Sequence, residues 1–158
     1  MALPRLSKAP DFLLKTSQGE DFNLYQVLDK KQVVLFFYPK AFTPGCTTEV
    51  CSFRDDYQYF KFKNIELVGI SHDDTDIQGK FKDKYKLPYT LLSDPGRKVA
   101  RQYEALFPLG LMTKRITYFI DRKGNIQGVY DNIFGAEEHL VKVKGQIERL
   151  EYSKSERA

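Results

Sequence analysis

The sequence predicts an α/β sandwich built around a mixed sheet. Apolar, β-branched and aromatic runs of strand length recur at 32–38, 65–71 and 115–121. Stretches of helical period lie between them, and the chain closes on a strand hairpin followed by a long helix. Strands alternating with helices before a terminal hairpin are the pattern of helices packed on both faces of one sheet.

Each element has its own signal. Residues 10–23, PDFLLKTSQGEDFN, alternate weakly about Ser17-Gln18-Gly19 and predict a hairpin of two short strands. LYQVLDKK predicts a short helical turn. QVVLFFY is continuously apolar, as in a strand buried on both faces and central to the sheet, and Pro39 ends it. A helical pattern then runs from about Pro44 to Lys63. IELVGIS predicts a second buried strand, and the helix over 73–86 has Asp73 or Asp74 as its cap. LPYTLLSD predicts a short strand, and PGRKVARQYEAL a helix with Pro95 in its first turn. RITYFID and IQGVYDN read as strands joined by the turn Arg122-Lys123-Gly124-Asn125. The stretch 135–152 predicts the closing helix, with 153–158 fraying.

At 158 residues and 42% hydrophobic content, one domain over 1–158 can bury a core without metals or disulfide staples. The 25 basic and 21 acidic residues are interspersed, which predicts a solvated surface rather than a nucleic-acid footprint. MALPRLSKAPDF lacks an apolar leader core, and no apolar run reaches membrane-spanning length, so a cytoplasmic protein is expected. The two cysteines, Cys46 and Cys51, are then not a structural staple. Metal binding, catalysis and inert burial remain.

Thr43-Pro44 reads as a helix start, with the Thr hydroxyl accepting a backbone N–H and Pro needing no donor. Cys46 then sits in the first turn, where free N–H groups and the positive end of the helix dipole favour a thiolate. In a continuous helix Cys51 lies about 140° around and about 8.7 Å away, Cα to Cα. A disulfide needs about 7 Å or less, so the helix must unwind for the pair to join. The spacing is not Cys-x-x-Cys, and His72 and His139 have no zinc-ligand spacing. A peroxide-reducing thiol with a second cysteine to condense with its sulfenic acid fits these constraints, beside the plainer reading of two packing cysteines.

YPKAFTPGCTTEVCSFRD resembles the active-site segment of the peroxiredoxins, and within them of the bacterioferritin comigratory, or Q-type, subfamily. The family pattern Pro-x-x-x-Thr-x-x-Cys falls on Pro39, Thr43 and Cys46, and the subfamily's resolving cysteine on Cys51. The stretches 9–24, 67–74, 84–100 and 115–121 continue the likeness. The resemblance implies a thioredoxin fold with an N-terminal hairpin extension and a peroxidase acting on hydrogen peroxide and organic hydroperoxides. It implies Cys46 as the attacking thiol and a Cys46–Cys51 disulfide as the product. Thioredoxin, or glutaredoxin, is implied as reductant, with a monomeric working form and no metal, haem or flavin.

Thr43 and the backbone N–H groups of Gly45 and Cys46 would hold the peroxide, and Pro39 would shield the thiol. Arg115 would face the sulfur with a fixed charge, and Glu49 would position that arginine. From the residues alone, Arg115 also reads as a surface strand-end arginine and Glu49 as an acid suited to the helix dipole. Ala41-Phe42 is more apolar than the subfamily pattern and predicts an apolar pocket rim. ALFPLGLMTK departs from the usual connection before Arg115. His72 reads as a solvated loop residue, and His139, beside Glu137 and Glu138, as surface.

Overall fold

The computed structural model describes residues 2–132 and 135–157. The chain runs β1 (Leu13–Thr16), β2 (Asp21–Asn23), α1 (Leu24–Leu28), β3 (Gln32–Phe37), α2 (Pro44–Asp55), α3 (Tyr57–Phe62), β4 (Ile65–Ser71), α4 (Thr75–Tyr85), β5 (Thr90–Ser93), α5 (Lys98–Gln102), β6 (Ile116–Ile120), β7 (Ile126–Asp131) and α6 (Ala136–Arg157). The strands form one sheet in the order β2-β1-β5-β4-β3-β6-β7. β3, β4 and β5 are parallel, and β6 and β7 continue the sheet antiparallel on one side. The β1–β2 hairpin extends it on the other side by pairing β1 with β5. This is a thioredoxin fold with an N-terminal hairpin added to its sheet.

The period of two along β3 builds both cores. Val33, Leu35 and Phe37 face a cluster with Leu24 and Leu28 of α1 and Val99 and Ala100 of α5. Val34, Phe36 and Tyr38 face the opposite cluster, with Val50 and Phe53 of α2, Phe60, Phe81 of α4, and Val143 and Ile147 of α6. Phe36 stacks on Phe53 with ring centroids 4.6 Å apart. Gly69 of β4 makes room for this pair, because a Cβ there would stand 2.8 Å from the Phe36 ring. Two-sided burial is why the 32–38 run shows no polar alternation.

Three local expectations need correction, and a fourth, the choice of cap for α4, is narrowed to one of its two candidates. The helical pattern from Pro44 to Lys63 breaks at Asp56, whose φ of −106° and ψ of 13° are not helical, so α2 and α3 are separate. Lys144 of α6 holds the Asp56 carboxylate at 2.5 Å, and the break lets Phe60 enter the core beside Phe53. α5 begins at Lys98, beyond Pro95. The Asp94 carboxylate caps it by accepting from the Val99 and Ala100 N–H groups at 3.2 and 2.9 Å. Asp74 alone caps α4, accepting from Ile77 N at 2.9 Å, while Asp73 turns into the core. The closing helix does not fray at 153 but continues through Arg157.

Candidate active site

β3 ends at Phe37, and the chain turns back into α2 at the carboxyl edge of the parallel strands, where open α/β sheets hold ligands. Buried Asp73, at the end of β4, anchors the turn: its Oδ2 accepts from the Ala41 N–H at 2.7 Å and from the Ser71 hydroxyl at 2.6 Å. His72 is half-buried rather than solvated, and its Nδ1 donates to the Pro39 carbonyl at 3.1 Å. Phe42 takes a left-handed φ of 66°, a costly conformation for a residue with a Cβ. Its ring packs on Phe81 and Tyr85 of α4, with centroids 5.0 and 6.4 Å away, and stays partly exposed, whereas Ala41 is buried.

Thr43 stands at the N-cap of α2 with extended backbone, and Pro44 opens the first turn. The Thr43 hydroxyl does not cap the helix. It donates to the Lys40 carbonyl at 2.6 Å instead, closing the turn and leaving its lone pairs open. Cys46, at the third helical position, is 1% exposed. Glu49, one turn later on the same face, is fully buried.

Arg115, immediately before β6, joins these two side chains. Its Nη1 donates to Glu49 Oε1 at 2.8 Å and its Nη2 to Cys46 Sγ at 3.4 Å. The Lys114 N–H on the Ala105 carbonyl, at 2.7 Å, ties the preceding loop down just before it. Gly45 is required by close approach, since a Cβ there would stand 2.9 Å from Arg115 Nη2. Burial pushes the Glu49 carboxyl up, while the Arg115 guanidinium, donating to its Oε1, pulls it back toward the charged form.

The structure therefore brings Gly45, Cys46, Glu49 and Arg115 together at the N-terminal end of α2, with Thr43 at its cap and Pro39 in the turn that precedes it. Cys51 stands apart from them in the same unbroken helix. It is a half-buried free thiol whose pKa burial raises, with Arg54 pulling the other way. Its backbone neighbourhood is tied down: Tyr89 Oη donates to the Val50 carbonyl at 2.7 Å, and Arg54 Nη1 to the Tyr85 carbonyl at 2.8 Å.

One residue of the site runs against the sequence reading. His139 is not on the surface but 1% exposed, with Nδ1 3.7 Å from Glu49 Oε2. Glu137 and Glu138 line a groove of about 390 Å³ with Gly45 and Thr48, while His139 turns inward. The signal was periodicity: His139, Val143, Ile147 and Leu150 form the apolar stripe of α6. Thr117 of β6, also missed, meets His139 Nδ1 at 2.7 Å. Among the described residues, no group of three or more His, Cys, Asp and Glu side chains could hold a metal ion. No described helix is long and apolar enough to cross a membrane.

Residues 6–129 match the AhpC/TSA family. The chain belongs to that family. Among this AhpC/TSA protein's relatives, the chloroplastic peroxiredoxin Q of Suaeda salsa is 45% identical over 135 residues, 85% of this chain and 63% of the relative. The chloroplastic peroxiredoxin Q of Arabidopsis thaliana is 46% identical over 133 residues, 84% and 61% of the two chains. The chain thus spans less than two thirds of the length of either relative. The crystal structure of peroxidoxin BcpB from Mycobacterium tuberculosis superposes with a TM-score of 0.86 at 35% identity, covering 92% of this chain and 96% of that one.

These relatives bear out the likeness to Q-type peroxiredoxins and overturn the cytoplasmic expectation, because the plant proteins are chloroplastic by name. A missing apolar leader was no argument for the cytosol: plastid transit peptides are Ser- and Arg-rich and amphipathic, without an apolar core.

Proposed function

We propose that this chain, acting as one domain over 1–158, is a thiol peroxidase that reduces hydrogen peroxide and organic hydroperoxides to water and alcohols. The observation that carries this reading is the Arg115 guanidinium, buried and shared between Cys46 Sγ and the Glu49 carboxylate. A lone packing cysteine has no use for a buried cation whose second arm is fixed on a carboxylate.

The Cys46 thiolate attacks the terminal peroxide oxygen. An S–O bond forms, the O–O bond breaks, sulfur is oxidised by two electrons, and the leaving alkoxide takes a proton from solvent. Arg115 faces the negative charge that develops along this line. Thr43, whose own proton is committed to Lys40, accepts from the peroxide O–H, and the N–H groups of Gly45 and Cys46 at the helix start face its oxygens. Pro39 walls the turn on the solvent side.

The sulfenic acid then condenses with Cys51, forming the S–S bond and releasing water. In a continuous α2 the two Cα atoms are about 8.7 Å apart, so the helix opens for this step. A dithiol protein, thioredoxin or glutaredoxin, reduces the bridge. Because both thiols lie in one helix, a monomer completes the cycle. The test is intact-mass spectrometry of the reduced protein with one equivalent of hydrogen peroxide. Loss of two hydrogens mapped to a Cys46–Cys51 bridge is expected, and survival of both thiols overturns the reading.

A further inference from the structure

The Glu49 carboxylate is buried with only one of its oxygens hydrogen-bonded. Oε1 takes Arg115 Nη1, whereas Oε2 has no hydrogen-bond partner among the described residues and lies 3.7 Å from His139 Nδ1. A buried carboxylate oxygen without a donor is costly, so its neighbour matters.

His139 withholds the donor it could supply. Its Nε2 lies 2.9 Å from the Asn132 carbonyl, which only accepts, so Nε2 carries the ring proton. Its Nδ1 lies 2.7 Å from the Thr117 hydroxyl, which donates to it while the ring is neutral. In that form the Nδ1 lone pair is occupied and the ring offers no N–H to Oε2. The titratable and charged groups around the ring are Glu49 from α2, Arg115 before β6, Asp131 of β7 and Lys142 of α6 itself. Burial, with Arg115 and Lys142, disfavours an imidazolium, while the Asn132 carbonyl and Asp131 favour it. The balance lies on the neutral side.

We propose that His139 is a positioning residue for Cys46: the neutral ring, with its Nδ1 lone pair on the Thr117 hydroxyl, leaves Glu49 to Arg115 and so keeps the guanidinium against the sulfur. A protonated His139 would place a second positive charge 3.7 Å from Oε2. The carboxylate would then be divided between two cations, and the hold on Arg115 would loosen. The inference rests on the peroxidase reading for its consequence, though not for its geometry.

Two measurements test it. Nitrogen-15 chemical shifts of the histidine rings report tautomer and charge directly in the unmodified reduced protein. His139 is expected as the neutral Nε2–H form at pH 7, and an imidazolium there overturns the proposal. The second is the pH profile of the peroxide rate constant, read beside the ultraviolet absorbance of the Cys46 thiolate in a Cys51→Ser background. Thr117→Val removes the hydroxyl and frees Nδ1 to take a proton. Relative to the unsubstituted protein, it is expected to show an added loss of about 10-fold toward acid pH. Thr117→Ser, which keeps the hydroxyl, restores the original profile, and Thr117→Val/His139→Gln lacks the added loss.

An unaltered profile in Thr117→Val, or an added acid loss that persists in the double variant, sinks the proposal. If the unsubstituted protein ignores peroxide, the peroxidase reading fails by itself. The ring shifts and the thiolate absorbance still decide the role of His139.

Discussion

The first turn and the middle of α2 each hold a cysteine, and the two surroundings differ. Cys46 is sealed from solvent yet faces Arg115, which reaches it from the start of β6, the strand beside β3. Cys51, five residues on, is half-buried beside the Val50 carbonyl, which Tyr89 holds from outside the helix, and near Arg54, which reaches from α2 to the Tyr85 carbonyl of α4. The first environment assembles charge around a sulfur. The second holds a sulfur away from its partner in an ordered helix. In the proposed cycle, attack and resolution therefore make opposite demands on α2: the first needs its opening turn intact, and the second needs it undone.

Substitutions can separate these demands. The largest contrast is between the cysteines themselves. Cys46→Ser should lower peroxide consumption to background, whereas Cys51→Ser should consume one equivalent at nearly the original rate and then stall with thioredoxin and its reductase present. Stopped-flow rates and turnover assays read the two steps separately, and sustained turnover in the second variant would break the comparison.

Arg115→Lys tests the first environment more finely. An ammonium cannot span Glu49 and Cys46 as a planar fork does, so the rate constant for peroxide is expected to fall about 100-fold. Gly45→Ala acts on the same group from the other side. Its methyl would meet Arg115 Nη2 on a guanidinium that Glu49 and Cys46 hold in place, and a loss of about 10-fold is expected, with little change in thermal stability.

Tyr89→Phe tests the second environment. Removing one hydrogen bond to the Val50 carbonyl, worth about 1 kcal/mol, should speed disulfide formation by roughly 5-fold. The peroxide rate constant should not change. Tryptophan is absent from the chain, so rapid quench with mass analysis is the suitable measurement.

The smallest effect concerns stability and pH. His139 is buried with its pKa pushed below the ordinary 6.5, chiefly by desolvation. A folded-state value below the unfolded one means its contribution is complete above the unfolded pKa and is lost as pH falls through the folded value. Urea midpoints of the unsubstituted protein should therefore fall toward acid pH more steeply than those of His139→Gln. Equal slopes would show that the ring is not buried as a neutral group.

Much of this organisation is legible in short stretches of chain. The run from Val33 to Tyr38 declares a strand covered on both faces because every residue in it is apolar or aromatic. Thr43-Pro44 marks a helix start because Pro at the first position needs no donor, even though the hydroxyl then turns to Lys40. The break at Asp56 was not legible, since the stripe Val50, Phe53, Tyr57, Phe60 stays in helical phase across it. The late start of α5 was missed because the capping carboxylate, Asp94, precedes the proline that appeared to open the helix. His139 was misjudged because its acidic neighbours at 137 and 138 suggested a wet face, although its own position continued the buried stripe.

What the sequence by itself determined is what depends on neighbours along the chain: strand and helix periods, the helix start before Cys46, and the interval between the two thiols. Whether those thiols could meet within an intact helix also followed, because helical geometry is local. The tertiary structure alone decided which charges surround the sulfur. Arg115 lies 69 residues from Cys46, and Thr117 lies 22 from His139. Their meeting depends on β6 pairing beside β3 and on α6 packing over α2. Burial then sets their chemistry, because removing water makes each charge depend on the one partner within reach, and no periodicity along the chain records that partner.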